Sequence, residues 1–277
     1  MINGETILIA HVGYPTTTFK APMICNPYFE KTGVNAVVMP MGVKAEEYTS
    51  VMSALFRLTN IRGAMVTMPH KVATVALMGE LSITAKIAGA CNAILLRPDG
   101  TLLGDMFDGE GFVRGMVRKG RKAEGARALV VGSGGVGSAI AASLAAAGAS
   151  GLGLFDVNTA AMDSLAKRLR LHYPKLQLEI GSRDAAGYDI VVNATPMGMS
   201  DDDPLPIEID RIASSAFVGE VVMKHEVTSF LRAARAKGCD TQVGTDMLFE
   251  QIPAYLEFFG FPTTTADELR AVARITY

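Results

Sequence analysis

The sequence has few cysteines and few charged side chains for its 277 residues. The three cysteines, Cys25, Cys91 and Cys239, lie far apart and form no C-x-x-C pair, which argues against a disulfide framework or a zinc cluster and favours a reducing cytoplasm. Charged residues make up 19% of the chain, and 26 basic against 28 acidic side chains give a net charge of −2. The chain therefore has no excess of basic residues of the kind that binds nucleic acid.

The sequence also lacks a long hydrophobic run and a secretory signal. A membrane span needs about 20 apolar residues, and the best candidate, residues 140–148, is a short alanine-rich stretch. The first five residues contain no basic region followed by an apolar core. We therefore expect a cytoplasmic protein with a small-molecule substrate and no nucleic-acid or membrane partner, either a monomer or a homodimer.

Short apolar runs alternate with helical patterns along the whole chain. This alternation predicts an α/β fold with mostly parallel sheets. Strands are expected at 6–10, 36–39, 63–67, 91–96, 101–104, 128–131 and 151–155. Helices are expected at 21–33, 45–58, 138–148, 247–259 and 266–275.

A change in composition predicts two domains. Residues 119–125 are basic and polar, whereas residues 128–131 are apolar, so the boundary is expected between Asp105 and Gly125. The last forty residues return to helix, and by their pattern alone they could join either domain.

A glycine-rich loop follows the predicted strand at 128–131 and precedes an alanine-rich helix. It consists of Gly132, Ser133, Gly134, Gly135, Val136 and Gly137. In the G-x-G-x-x-G pattern the first glycine permits the tight turn, the second allows a pyrophosphate to approach, and the third lets helix and strand pack. The loop predicts a Rossmann dinucleotide site, although glycine-rich turns also join strands to helices in other folds.

An acidic residue stands at the end of the next predicted strand. Asp156 follows residues 151–155, where a carboxylate can accept hydrogen bonds from the adenosine ribose. Its charge would repel a 2′-phosphate, and Val157 and Asn158 supply no cation, so NAD is favoured over NADP. In the alternative interpretation Asp156 only caps the helix that begins near Thr159, which would leave the cofactor preference open.

Two polar residues follow predicted strand ends, where ligands collect in α/β folds. Lys71 and Asp108 could together handle the proton of an alcohol substrate, or they could be a solvated lysine and a helix N-cap. The histidines show no metal-ligand spacing such as H-x-x-x-H, so no metal is predicted. They are His11, His70, His172 and His225.

Seven separated motifs match one family in order and spacing. They are Gly13-Tyr-Pro15 leading to Pro22, Met65-Val-Thr-Met-Pro-His-Lys71, Cys91-Asn-Ala93, Met106-Phe-Asp108-Gly109, Gly132 to Gly137, Asn193-Ala-Thr-Pro-Met-Gly-Met199 and Gly244-Thr-Asp-Met-Leu-Phe-Glu-Gln251. With these motifs the chain resembles the shikimate/quinate dehydrogenases over nearly its full length.

The resemblance implies a substrate-binding domain of residues 1–106 plus 245–277 and a Rossmann domain of residues 107–244, with the active site in the cleft between them. It implies that Lys71 is the general acid/base and Asp108 its partner in reversible oxidation of a ring hydroxyl of shikimate or quinate, a step of aromatic amino acid biosynthesis. The substrate residues would include Thr67, Asn92 and Gln251. The nicotinamide side would be bound by Asn193, Ala194, Thr195, Met199 and Gly244.

Several positions depart from the family pattern. Two serines that typically hold the substrate carboxylate correspond to Phe19 and Ala21, an asparagine to Met65, a threonine to Phe107 and a tyrosine to Met223. A carboxylate losing these partners would be poorly bound. We therefore expect either that Thr16, Thr17, Thr18 or Lys20 replaces the serines, or that the substrate is a less polar hydroxy compound. A dinucleotide-binding regulatory protein without chemistry is a further alternative.

Overall fold

The computed structural model describes residues 2–200 and 202–275. They form two compact units, the first comprising 2–86, 90–107 and 249–275 and the second comprising 87–89 and 108–248. Strands and helices alternate in both units, which confirms the predicted α/β class.

The first unit is built on a mixed sheet with strand order β2-β1-β3-β5-β6-β4. The strands are β1 (Ile7–Gly13), β2 (Ala36–Gly42), β3 (Ile61–Val66), β4 (Glu80–Leu81), β5 (Ala93–Leu96) and β6 (Leu102–Asp105). The pairs β1–β2 and β1–β3 are parallel, whereas β5 is antiparallel to both β3 and β6. The predicted hairpin of residues 91–104 is therefore present as β5 and β6.

The helices of the first unit flank this sheet. They are α1 (Pro22–Thr32), α2 (Tyr48–Leu55), α3 (Lys71–Thr74), α4 (Ile83–Ala88), whose last two residues fall in the second unit, the part of α9 (Gly244–Phe258) from residue 249, and α10 (Ala266–Val272). As predicted, a proline opens α1, and Gly33 ends it with φ 71°. The helix expected at 45–58 is shorter, because residues 45–47 form a 3₁₀ turn.

The two faces of the first sheet pack against different helices. Side chains of Val12 and Val66 lie in one apolar cluster with Met52 of α2. On the other face, a Cβ at Gly63 would stand 2.7 Å from a ring carbon of Phe259, just after α9. The Arg62 guanidinium also donates to the carbonyl oxygen of Phe259 (2.9 Å). These contacts place the end of α9 over the middle of β3.

The second unit contains a fully parallel sheet with strand order β12-β11-β10-β7-β8-β9. The strands are β7 (Arg127–Val131), β8 (Gly151–Phe155), β9 (Gln177–Ile180), β10 (Ile190–Asn193), β11 (Phe217–Glu220) and β12 (Asp240–Gln242). The helices are α5 (Asp108–Arg118), α6 (Gly135–Ala146), α7 (Thr159–His172) and α8 (Ser229–Ala236). The last four strands have only three or four residues each, and the sequence pattern predicted none of them.

Helices α5 and α6 pack with their backbones close together. A Cβ at Gly109 would lie only 2.1 Å from the carbonyl oxygen of Ala139, so this position requires glycine. In residues 2–200 and 202–275, no helix has both the length and the apolar character needed to cross a membrane.

Candidate active site

The glycine loop occupies the predicted context between β7 and α6. Gly132 has φ 107°, a conformation that favours glycine, and its amide donates to the carbonyl oxygen of Phe155 (2.8 Å). A Cβ at Gly137 would stand 1.9 Å from the backbone oxygen of Gly132, whereas a Cβ at Gly134 would meet nothing within 4 Å. The fold itself thus requires glycine at 132 and 137, while Gly134 leaves open space at the start of α6. That space suits a dinucleotide pyrophosphate.

Because a Cβ has room at Gly134 but not at Gly137, alanine is expected to affect NAD binding at the first position and stability at the second. Gly137→Ala forces a backbone clash and is expected to lower the free energy of unfolding by about 1–3 kcal/mol or more. Gly134→Ala has room and a permitted backbone conformation (φ −71°), so it should fold normally yet lose dinucleotide affinity. Thermal melting and NAD titration of both variants measure this, and normal NAD binding by Gly134→Ala would contradict the predicted phosphate position.

The carboxylate of Asp156 lies against the glycine loop. It accepts hydrogen bonds from the backbone amides of Ser133 (2.5 Å) and Asn158 (2.8 Å). The N-cap of α7 is Asn158, whose side chain accepts from the amide of Ala161 (3.1 Å). The alternative that Asp156 only caps this helix is therefore wrong, and its carboxylate is held at the loop that would bind the dinucleotide.

The predicted nicotinamide segment forms an ordered turn at the end of β10. Asn193 Oδ1 accepts from the amide (3.1 Å) and the hydroxyl (2.6 Å) of Thr195, and its Nδ2 donates to the carbonyl oxygen of Met197 (3.0 Å). The amide of Ala194 donates to the carbonyl oxygen of Val131 (2.7 Å). These bonds bring the segment beside the glycine loop, which supports a shared cofactor site.

Glu220, at the end of β11, was not predicted as part of this site. It is opposite Asn193 in the sheet register, fully buried, and accepts from the Thr228 hydroxyl (2.8 Å). Burial raises the pKa of Glu220 to about 7. Gly244 lies nearby, because a Cβ added to it would stand 2.3 Å from the carbonyl oxygen of Val222. The one sequence signal for Glu220 was a single acidic residue within an apolar run.

Lys71 is the first residue of α3 in the first unit, and its neighbours fix that helix start. The His70 ring stacks on Tyr48 (4.1 Å, 8°) and donates through Nε2 to the carbonyl oxygen of Val43 (2.7 Å). Thr74 donates its hydroxyl to the backbone oxygen of His70 (2.9 Å). His70 therefore holds the backbone at the start of α3, where Lys71 lies, and the sequence pattern does not reveal these contacts.

The predicted substrate residues Asn92 and Gln251 both have buried polar atoms that no described residue satisfies. Asn92 Oδ1 accepts from the Phe107 amide (3.0 Å), but its Nδ2 has no hydrogen-bond partner, and neither does Gln251 Oε1. Such atoms in a native structure point to a ligand or water.

Gln251 lies on the face of α9 whose next residues, Tyr255 and Phe259, contact the sheet of the first unit. The residues at 251, 255 and 259 follow a four-residue spacing and so share one helix face. Phe259 lies over Gly63, and the Tyr255 hydroxyl reaches the backbone oxygen of Asn92 (3.5 Å). Gln251 precedes Tyr255 by one turn on that face.

The proposed catalytic residues are carried by different units. Lys71 is half-buried in the first unit, and its backbone oxygen accepts from the Cys91 amide (2.9 Å). Asp108 is the first residue of α5 in the second unit and is 2% exposed. Their pairing stays a prediction.

Four of the five apolar residues at usually polar positions are buried in the first unit, whereas Met223 is half-buried in the second. The four are Phe19, Ala21, Met65 and Phe107. The Phe107 ring packs edge-on against Tyr255 (5.2 Å) and Phe258 (5.4 Å), so it belongs to an aromatic cluster on α9.

Some side chains of residues 16–20, which could replace the family's serines, are already engaged in other contacts. The hydroxyl of Thr18 donates to the carbonyl oxygen of Pro15 (3.2 Å), and the methyl of Thr16 faces Gly42. Thr17 is exposed, whereas Lys20 is buried, and burial lowers its pKa. Substrate binding by these residues stays a prediction.

Comparisons with known proteins all point to one family. A family model described as the shikimate dehydrogenase substrate binding domain matches residues 12–94. A shikimate dehydrogenase (NADP(+)) of Rubrobacter xylanophilus is 36% identical, with 90% of this chain and 89% of that protein covered. A shikimate dehydrogenase (NADP(+)) of Acidiphilium cryptum is 32% identical over 99% of this chain and 98% of its own length.

Solved structures show the same similarity. Shikimate 5-dehydrogenase from Listeria monocytogenes, in complex with shikimate and NAD, has a TM-score of 0.88 at 25% identity and covers 98% of this chain and 97% of its own. Quinate dehydrogenase from Corynebacterium glutamicum, in complex with NAD, has a TM-score of 0.85 at 27% identity, with 96% and 98% covered. The chain therefore belongs to the shikimate dehydrogenase family of NAD(P)-dependent oxidoreductases.

Proposed function

We propose that this protein interconverts a secondary alcohol and a ketone on a polyhydroxylated ring, with Lys71 as general acid/base and Asp108 as its partner. The observation that carries this proposal is the set of buried, unpartnered polar atoms of Asn92 and Gln251 in the unit that holds Lys71. In the oxidation, the Lys71 amine takes the hydroxyl proton, and in the reduction the ammonium returns it to the carbonyl oxygen. The bound nicotinamide supplies the hydride acceptor or donor.

The cofactor we propose is NAD, although the curated relatives described above are named for NADP(+). Asp156 places a carboxylate at the glycine loop, where it would accept from ribose hydroxyls and repel a 2′-phosphate. The next residue, Val157, is 91% exposed and uncharged, and Asn158 is engaged in capping α7. Neither supplies a cation for a phosphate.

Two substrate classes are compatible with this site. Shikimate and quinate are favoured by the names of the relatives and of the similar structures. A less polar hydroxy compound is favoured by the buried side chains of Phe19, Met65 and Phe107, which offer no hydrogen bond to a carboxylate.

Nicotinamide reduction by the purified protein tests the activity and the cofactor together. The panel contains shikimate, quinate and carboxylate-free cyclic alcohols, each with NAD and with NADP. We expect turnover of at least one ring alcohol, with NAD preferred. Tight NAD binding without turnover of any compound would favour the regulatory alternative and contradict the proposed function.

We also propose a cytoplasmic location and a monomer or homodimer. The three cysteines are free and buried, as suits a reducing compartment. Sedimentation of the purified protein distinguishes the two assembly states.

A further inference from the structure

His11 is a buried polar residue of the first unit that the mechanism does not use. It lies in β1, is 7% exposed, and stacks on the Phe19 ring (4.3 Å between centroids, 27°). Its Nδ1 is buried and has no hydrogen-bond partner. An unsatisfied buried polar atom costs about 1–3 kcal/mol, so it calls for an explanation.

The position of His11 in the sheet places it with the substrate residues. Its register partner on β3 is Met65, and registered residues of adjacent strands share a sheet face. Two residues further along β1, a Cβ at Gly13 would stand 2.3 Å from Thr67 Cγ2 and 3.0 Å from Phe19 Cζ. His11, Phe19 and Thr67 thus gather at the end of β1 and β3, the edge that leads to Lys71.

The electrostatics of this edge keep His11 uncharged. Burial, followed by the charge of Lys71, lowers the pKa of His11 to about 3. A neutral imidazole has one donor and one acceptor nitrogen, which matches a hydroxyl group that both donates and accepts. A carboxylate only accepts, so it could bond the neutral imidazole only through its N–H, and the adjacent Phe19 and Met65 side chains give it no further donor.

We propose that His11, with Phe19 stacked on it, is a specificity-determining residue that hydrogen-bonds an uncharged hydroxyl of the substrate and disfavours a carboxylate at that end of the ring. This inference rests on the proposed function and names its substrate class: a carboxylate-free polyhydroxylated ring alcohol. It also gives His11 Nδ1 the partner that the protein lacks. The rival arrangement is a carboxylate paired with Lys20, the buried cation next to Phe19.

A matched pair of ligands tests the inference by binding. Shikimate and its analogue with a hydroxymethyl group in place of the carboxylate are titrated calorimetrically into the full-length protein saturated with NADH, a mixture in which no alcohol oxidation proceeds. We expect the analogue to bind at least about tenfold more tightly than shikimate. We expect His11→Phe to lose about tenfold in affinity for the analogue alone, as for one lost hydrogen bond.

Two further variants and a stability measurement separate recognition from folding. His11→Gln keeps polar atoms and should retain more affinity than His11→Phe, and His172→Phe, at an exposed histidine of the second unit, should change nothing. Unliganded His11→Phe should melt at the same or a higher temperature, because it removes an unsatisfied buried atom. A structural role for His11 predicts a lower melting temperature instead.

Three results would overturn the inference: tighter binding of shikimate than of the analogue, unchanged binding of the analogue by His11→Phe, or no binding of either compound. The proposed function fails separately, if the wild type oxidises no alcohol with NAD. Binding can thus support the inference even where turnover is absent.

Discussion

Replacing Lys71 by alanine is expected to lower kcat by about 10²- to 10⁴-fold, the usual contribution of a general acid/base. The glycine loop proposed to bind NAD belongs to the other unit, so the dissociation constant for NAD should stay within about twofold of wild type, since no hydrogen bond to NAD is lost. Steady-state kinetics with the best alcohol of the panel and an NAD titration measure the two quantities.

The control for this experiment is Lys86→Ala, which removes an exposed lysine from α4 in the same unit. Both variants should melt close to the wild-type temperature, because Lys71 is only half-buried. Near-normal turnover by the Lys71→Ala protein would refute its role in proton transfer. A loss of NAD binding would instead point to a fault in folding.

Replacing Asp156 by alanine is expected to weaken NAD binding by about ten- to hundredfold. Hydrogen bonds to a charged group contribute about 1.5–3 kcal/mol, and this carboxylate would bond the ribose while also holding the Ser133 and Asn158 amides. NADP should lose less, since the repulsion of its 2′-phosphate is relieved at the same time. The readout is the ratio of kcat/KM for NAD to that for NADP.

Asp156→Asn is the matched control, because it removes the charge but keeps one oxygen that can accept from either the Ser133 or the Asn158 amide, which bond different oxygens of the carboxylate. It should preserve the loop and the melting temperature better than Asp156→Ala does, and it should reduce the preference for NAD over NADP. Equal use of the two cofactors by the wild-type protein, with no change in the ratio for Asp156→Asn, would contradict the proposed NAD preference.

The glycine loop and the first helix were predictable from the sequence because their signals are local. Gly132 needs a positive φ, Gly137 needs a close backbone contact, and Gly33 ends α1 in the left-handed region. Each requirement depends on the chain within a few residues. The order of the motifs likewise predicted Asn92 and Gln251 as substrate residues, and the structure adds their unsatisfied polar atoms.

The short strands of the second unit and the role of Asp156 could not be predicted, because the local sequence pattern is too weak to define them. Strands β9 to β12 have only three or four residues each, too few for a clear periodicity. The sequence alone does not distinguish Asp156 from Asn158 as the cap of α7, and the structure shows that Asn158 is the cap.

The sequence by itself determined the α/β class, the glycine loop and the family, since each is carried by residue type and spacing along the chain. Only the tertiary structure decided what His11, His70 and Glu220 contact. Their roles arise from burial and from partners on other strands and helices, such as Phe19 for His11 and Thr228 for Glu220. Linear order does not specify such neighbours, because packing brings together side chains that are separate in the chain.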